Sequence, residues 1–229
     1  ANEYEKDIFL DINKKSQIKI IRNGVNLKKL VSKENFKMKY KINSKFILFV
    51  GRFSKSKGIE TLIDAFNIIN TKFSDIHLVI MGVDFGFEKT MEELIIKFNL
   101  SKKILVIKNP PREDVISAYG ESEFLILPSQ WELSPLVPLE SFAFKKPVIS
   151  TKSHGIPFTV QDGKNGILVD PEKPDQLAKA ITKLLLDDDL RIRLGLSGYN
   201  FVHAECNCVS MAKNSLELYE QILKNNDNK

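Results

Sequence analysis

Three cations, Arg52, Lys55 and Lys57, lie in a short loop after an apolar run of the sequence, and Arg52 and Lys57 are the candidates for chemistry. The loop reads G-R-F-S-K-S-K-G over 51–58 and leads into a stretch with helical periodicity. An arginine fork and a lysine ammonium both suit phosphate oxygens, and a helix N-terminus also favours an anion. Gly51 and Gly58 let the backbone turn tightly and approach a ligand. The loop therefore predicts a phosphate site, with an ordinary solvated surface loop as the alternative.

Two carboxylates, Glu132 and Glu140, follow a later apolar run, with seven residues between them. A helix beginning near Pro135 places Glu140 about a turn and a half inside it. A carboxylate in that position can accept hydrogen bonds from two neighbouring hydroxyls of a sugar ring. The alternative is that each glutamate is a solvated helix residue or a partner in a helix cap.

Other residues that could bind metal have weaker context, and we predict neither a metal site nor a cofactor. The Asp-x-Asp motif at 187–189 falls between two predicted helices, which indicates a solvated helix junction. Cys206 and Cys208 supply too few ligands for zinc and poor geometry for a disulfide, so a reducing, cytoplasmic setting fits best. A lone loop histidine, His154, is expected to be structural or solvated.

The charge of the chain is unevenly spread. It has 229 residues, 43% of them hydrophobic, and a net charge of +5. Residues 1–45 contain 12 Lys/Arg and 5 Asp/Glu, a balance of +7. Such a basic edge suits nucleic acid, anionic lipid or a partner domain, but a solvated N-terminal segment is the favoured interpretation. Arginines interleaved with aromatics are lacking there, so we expect no nucleic-acid partner.

Apolar strand-like runs alternate with helical stretches along most of the chain, which predicts a Rossmann-like, doubly wound parallel sheet with helices on both faces. The predicted strands are Phe46–Val50, His77–Met81, Ile104–Lys108, Glu123–Leu127, Pro147–Thr151 and Gly166–Asp170. The predicted helices between them are Ile59–Phe73, Phe87–Leu100, Arg112–Glu121 and Leu136–Phe144. A helical C-terminal tail follows, as Pro174–Leu186, Asp189–Ala204 and Cys206–Lys224.

The first part of the chain has a different pattern. IKIIRNGV, residues 18–25, predicts a short strand that ends in a turn, after a polar piece with helical character.

In α/β sheets of the predicted kind, ligands bind beyond the carboxyl ends of the strands. The 51–58 loop and the two glutamates are therefore expected at one edge of the sheet.

Two motifs together resemble the donor-binding half of the retaining GT-B glycosyltransferases of family 4, also called group 1. They are G-R-x-x-x-x-K-G at 51–58 and E-(seven residues)-E at 132–140. The likeness extends over about residues 15–225, through IIRNGVNLKKL, HGIPFTVQDGKNGILVDPEKPDQLAKAI and SLELYEQIL. It implies one half of a GT-B fold, with residues 1–17 as a remnant of a preceding domain or linker. Residues 18–229 would then form the donor-binding domain.

The resemblance implies roles for individual residues. Arg52 and Lys57 match the pair that holds the donor's diphosphate, next to Gly51. Glu140 matches the carboxylate that binds the ribose hydroxyls, and Glu132 the one that faces the transferred sugar. Arg52, Lys57 and Glu132 are thus the expected catalytic residues, because the two cations stabilise the leaving diphosphate without a metal.

Two further assignments from the resemblance are looser. The backbone around Ser134, Leu136 and Val137 would lie against the phosphates and the sugar, and Asn109 marks the edge where the base sits. The chain departs from the family pattern at Leu133-Ser134-Pro135, where Gly-Phe-Gly is common, and at Phe158, where Glu is common. These departures affect the preference for the donor more than the fold.

The resemblance implies transfer of a hexose, with retention, from a UDP- or GDP-sugar to a glycan, glycolipid or other hydroxyl acceptor. The chain begins with Ala1, so we expect an excised C-terminal domain or a separate subunit that meets an N-terminal acceptor-binding domain. Peripheral contact with the cytoplasmic membrane face suits a lipid-linked acceptor. A non-catalytic nucleotide- or phosphate-binding module on the same fold is the main alternative. A basic nucleic-acid-binding protein is a weaker one.

Overall fold

Six strands form one parallel sheet in the computed structural model of the chain, which describes residues 1–14, 17–32 and 35–227. The strands are β1 (Lys45–Val50), β2 (Ile76–Gly82), β3 (Ile104–Lys108), β4 (Leu125–Leu127), β5 (Val148–Thr151) and β6 (Gly166–Val169). Their spatial order is β3-β2-β1-β4-β5-β6, and every pairing is parallel. The prediction of a doubly wound parallel sheet is confirmed.

The helices cover both faces of this sheet and continue as a helical tail. They are α1 (Glu3–Ile12), α2 (Phe36–Tyr40), α3 (Ile59–Asn70), α4 (Glu88–Lys97), α5 (Arg112–Glu121), α6 (Val137–Ala143), α7 (Pro174–Leu186), α8 (Asp188–Ala204) and α9 (Cys208–Asp227). The described part of the chain also contains three single-turn 3₁₀ helices, at Leu27–Lys29, Lys55–Lys57 and Ile156–Phe158.

Side chains of β1 alternate between two apolar clusters, as a strand buried on both faces requires. Ile47 and Phe49 pack in the cluster that includes α3, α4 and α7. Phe46 and Leu48 pack in the opposite cluster, with residues of α2, α5 and α6. All four side chains are fully buried. The rigid centre of the sheet therefore fixes the positions of the loops that leave its carboxyl edge.

The predicted strand at 18–25 is wrong, although the helical piece before it is present as α1. Only Val25 makes a β-type contact, an isolated bridge to Asn207 at the junction of α8 and α9. The N–H of Val25 donates to the carbonyl of Cys206 at 2.9 Å, and Cys208 donates back to Val25 at 3.0 Å. The backbone of Val25 therefore joins this segment to the helical tail, and the segment adds no strand to the sheet.

Helix α9 begins at Cys208, two residues later than predicted. Asn207 accounts for the difference, because its side-chain oxygen accepts hydrogen bonds from the N–H groups of Val209 at 3.1 Å and Ser210 at 2.9 Å. Such contacts satisfy N–H groups that have no partner within the helix. Asn207 therefore sets the start of α9.

Candidate functional site

The sheet reverses its strand order between β1 and β4, and ligands of α/β sheets bind in the crevice at such a switch point. Two loops meet there, 51–58 after β1 and 128–136 after β4. The N–H of Gln130 donates to the carbonyl of Ser56 at 2.8 Å and ties the loops together. Gly58, at φ +68°, lies so close to the second loop that a Cβ atom would fall 2.0 Å from the carbonyl oxygen of Pro128. The junction therefore requires glycine at this position.

Replacing Gly58 with Ala is expected to destabilise the fold about 1–3 kcal/mol more than replacing Gly86 with Ala. Both glycines have positive φ, but an added Cβ at Gly86 meets nothing within 4 Å. The control substitution thus shares the backbone strain and lacks the clash with Pro128. Urea unfolding of the two variants measures the difference. Equal losses would show that the two loops separate easily.

Lys57 and Glu132 form an ion pair across the switch point, between Nζ and Oε1. Their side chains are only 12% and 15% exposed. The hydroxyl of Ser129 also donates to Oε1 of Glu132, at 3.2 Å. The structure thus brings together a predicted phosphate-binding cation and the predicted sugar-facing carboxylate. No local pattern predicts this pairing, because the two residues are 75 positions apart in the chain.

Arg52 lies at the same edge, beside the loop that follows β2. Its exposed guanidinium sits over the ring of Phe85, with 5.0 Å to the ring centroid. The preceding residue, Gly51, donates its N–H to Met81 at 3.0 Å, and Phe53 donates to Val83 at 2.7 Å. These bonds hold the backbone of Arg52 firmly and leave its side chain in solvent. The guanidinium is therefore accessible to an anionic ligand.

Glu140 lies in the first turn of α6, where three donors hold its carboxylate. Arg112 donates to both carboxylate oxygens, at 2.6 and 3.2 Å, and Tyr119 donates to Oε2 at 2.9 Å. The helix starts at Val137 and not near Pro135, so the predicted depth of a turn and a half is wrong. Pro138 occupies the first turn instead, where a proline costs no helical hydrogen bond.

Sequence reasoning missed Arg112 and Tyr119. Tyr119 is fully buried in α5, and that burial, with the Glu140 carboxylate beside it, raises the pKa of the phenol well above its usual value. The phenol is therefore a lasting hydrogen-bond donor to Glu140. Arg112 is the first residue of α5 and more than half exposed, at 53%. The only sign of Arg112 in the sequence was its place at the start of a predicted helix, and nothing in the sequence linked it to Glu140.

The N-terminal segment holds the loop that carries the remaining predicted residues. The buried Asn2 donates from Nδ2 to the carbonyl of Leu133 at 2.7 Å and to the hydroxyl of Ser134 at 3.1 Å. That hydroxyl in turn donates to Glu5 at 2.5 Å. The side chain of Ser134 is thus engaged by the segment around α1. Leu136 and Val137 follow as the cap and the first residue of α6.

Asn109 lies directly after β3 and has a left-handed backbone, with φ +49°. Asparagine tolerates this conformation better than most residues. Its N–H donates to the carbonyl of Gly82 at 2.8 Å and joins the loops that follow β2 and β3. The edge at which the base is predicted to bind is therefore a bend in the chain, three residues before Arg112.

The residues predicted to lie outside the site have structural partners. Asp187 is at the junction of α7 and α8, as predicted, where its carboxylate accepts the N–H of Leu190 at 2.8 Å. His154 packs edge-on against the rings of Tyr4 and Trp131. Within residues 1–14, 17–32 and 35–227, no three His, Cys, Asp or Glu side chains are grouped as a metal site requires. Across the same described residues, no helix is both long and apolar enough to cross a membrane.

These features define a Rossmann-like domain with charged side chains at its switch point. The family model of glycosyl transferases group 1 matches residues 32–201. The chain belongs to this family, and its sheet is one half of a GT-B fold. An uncharacterised glycosyltransferase of Methanocaldococcus jannaschii is 34% identical over 192 residues, 84% of this chain and 50% of the relative.

A second relative is the D-inositol 3-phosphate glycosyltransferase of Corynebacterium urealyticum, 31% identical over 222 residues, which are 91% of this chain and 52% of the relative. The chain therefore spans about half the length of these curated relatives. Among solved structures, a glycosyltransferase from Rickettsia africae superposes with a TM-score of 0.87 at 27% identity, over 97% of this chain and 62% of that chain. Anabaena HepE, solved with UDP-glucose, shares the fold with a TM-score of 0.79 at 20% identity, over 89% of this chain and 57% of that chain.

Proposed function

We propose that this chain is the nucleotide-sugar-binding domain of a glycosyltransferase that transfers a hexose, with retention and without a metal, from a UDP- or GDP-sugar. The acceptor would be a glycan, a glycolipid or another hydroxyl compound. The observation that carries this proposal is the Lys57–Glu132 pair at the switch point, with its side chains mostly buried. A cation and a carboxylate held together there can face the two fragments that separate during transfer.

The charges of the reaction explain why both residues are needed. As the bond between sugar and diphosphate breaks, the sugar becomes cationic and the diphosphate gains negative charge. Lys57 has three ammonium donors, so it can keep Glu132 and still donate to a phosphate oxygen. Arg52 is free to approach from solvent as a second cation. Lys57, which Glu132 already holds in place, can stabilise the leaving group with little reorganisation.

Glu140 completes the proposed donor site as the carboxylate that binds the ribose. It is mostly buried, at 14% exposure, and in the free domain its carboxylate accepts hydrogen bonds from Arg112 and Tyr119. Further contacts with the donor would come from the same edge of the sheet, mainly through the backbone. They would involve Gly51, Asn109, Ser134, Leu136 and Val137.

The exposed apolar side chains of α1 and α9 support the proposal that an acceptor-binding domain or partner subunit completes the enzyme. Ile8, Phe9 and Ile12 on α1 are 40%, 60% and 77% exposed. Leu216, Tyr219 and Leu223 form a stripe on α9, at 59%, 64% and 64%. A docked domain would remove this surface from water. Residues 1–17 would then belong to the linker or to that domain.

The basic region 1–45 suits the anionic face of a membrane, if the acceptor is lipid-linked. Two of its lysines, Lys15 and Lys33, lie outside the described residues. A cytoplasmic location, with peripheral membrane contact, fits nucleotide-sugar donors. Binding to liposomes with and without anionic lipid tests that contact.

A thermal-shift panel with UDP, GDP, ADP and uridine tests the proposed function. A diphosphate at ten times its Kd adds about 1.4 kcal/mol of stability, or roughly 3–6 °C in Tm. Uridine at the same concentration is expected to give a smaller shift, and EDTA should leave the shifts unchanged. Failure of every nucleoside diphosphate to stabilise the chain would overturn the proposal. Steeply salt-dependent binding of RNA or DNA would favour a nucleic-acid partner instead.

A further inference from the structure

We propose that Arg112 is a specificity-determining residue that competes with the ribose for Glu140. In the free domain its guanidinium occupies the carboxylate, and full binding of a ribonucleotide exchanges Arg112 for the two ribose hydroxyls. This inference rests on the proposed function of Glu140 as the ribose carboxylate.

The carboxylate of Glu140 has little hydrogen-bonding capacity left for a ligand in the free domain. A carboxylate has about four acceptor sites, two on each oxygen. Arg112 uses one site on each oxygen, and Tyr119 uses the second site on Oε2. A single site on Oε1 is then left for a ligand. Because a ribose offers two neighbouring hydroxyls, it can donate both of them only after the guanidinium has moved.

Of the two residues that donate to Glu140, Arg112 is the one that can move away. The Tyr119 side chain is fully buried, whereas Arg112 is 53% exposed. An open groove of about 270 Å³ runs along Arg112, Glu140 and Leu136, which gives the guanidinium room to move away. Water can solvate Arg112 after it leaves, while Glu140, only 14% exposed, receives the ribose hydroxyls in its place. The exchange therefore needs a rotation of one side chain and no change in the backbone.

The competition predicts a specific change in sugar discrimination. A 2′-deoxyribonucleotide donates one hydroxyl, which the remaining site on Oε1 can accept with Arg112 in place. Only the ribonucleotide must displace the guanidinium. Removing Arg112 should therefore strengthen the binding of ribonucleotides relative to their 2′-deoxy forms. If Arg112 instead served to orient Glu140, the same substitution would weaken that preference.

The experiment measures the Kd of UDP and of 2′-deoxy-UDP by calorimetry, and repeats the pair with GDP and 2′-deoxy-GDP. The ratio of the two affinities cancels contacts to the base and to the diphosphate. In Arg112→Ala the preference for the ribonucleotide should rise roughly two- to fivefold, the range for an exposed ion pair. Arg193→Ala is the matched control, because Arg193 is exposed and faces the loop before β6, at the opposite edge of the sheet.

Three further variants test whether the change in preference comes from the contact between Arg112 and Glu140: Glu140→Gln, Glu140→Gln combined with Arg112→Ala, and Arg112→Lys. In Glu140→Gln the ion pair is absent, so adding Arg112→Ala should leave the preference unchanged. Arg112→Lys, which offers a point charge in place of the fork, should give an intermediate preference. A preference that stays constant or falls in Arg112→Ala, while UDP or GDP still binds, would overturn the inference and leave the proposed function intact. If no nucleoside diphosphate binds to the unaltered chain, both the inference about Arg112 and the proposed function are wrong.

Discussion

Replacing Lys57 with Ala is expected to weaken the binding of the preferred nucleoside diphosphate roughly 10- to 150-fold. The substitution removes a charge-assisted hydrogen bond to a phosphate, worth about 1.5–3 kcal/mol. It also leaves Glu132, only 15% exposed, without its cation beside the incoming diphosphate. The remaining carboxylate repels the ligand and adds to the loss. Calorimetric titration with UDP and GDP measures the effect.

Lys55→Ala provides the matched control, since it removes the same charge from the same loop at an exposed position. We expect it to change the affinity far less than Lys57→Ala does. Titration with uridine separates phosphate contacts from the rest of the site, and its Kd should barely change in either variant. If both lysines prove equivalent, the loop acts through its general charge, and the assignment of Lys57 as a phosphate ligand is wrong.

The order of strands and helices was predictable because each strand of this sheet is a short apolar run bounded by turns. β3 was predicted at 104–108 and is observed there, and α5 and α7 have the predicted bounds. The segment at 18–25 is also rich in isoleucine and was predicted as a strand, yet within it only Val25 forms a bridge, with Asn207. A propensity for extended structure does not specify the partner, which here comes from the helical tail.

The candidate site was predictable in its parts but not in its pairings. Lys57 and Glu132 were each singled out from local motifs, and the parallel sheet requires both to lie at one edge. Their contact depends on β4 lying next to β1, a neighbour that no local pattern specifies. Arg112 and Tyr119 escaped detection for the same reason, because Glu140 reaches them from the next helix along the chain. The importance of these two residues comes entirely from the tertiary structure.

The chain alone is expected to bind a nucleotide-sugar donor and to transfer no sugar. The proposed donor contacts extend from Gly51 to Glu140, within one sheet and its loops, so the domain retains them. Transfer also needs an acceptor hydroxyl held next to the anomeric carbon, and such orientation can supply roughly 7–11 kcal/mol of the barrier. The proposed second domain would provide that orientation and would exclude water from the crevice.

Mass spectrometry tests this expectation. The chain is mixed with sugar nucleotides and with lipid and saccharide acceptors, and the mixture is searched for product. Calorimetry of the same samples must show donor binding, so that a missing product cannot be attributed to an empty site. Slow donor hydrolysis, lost in Lys57→Ala, agrees with a crevice that holds the leaving group but is open to water. Efficient transfer by the isolated chain would mean that its own surface orients the acceptor, and the proposed second domain would then be unnecessary for catalysis.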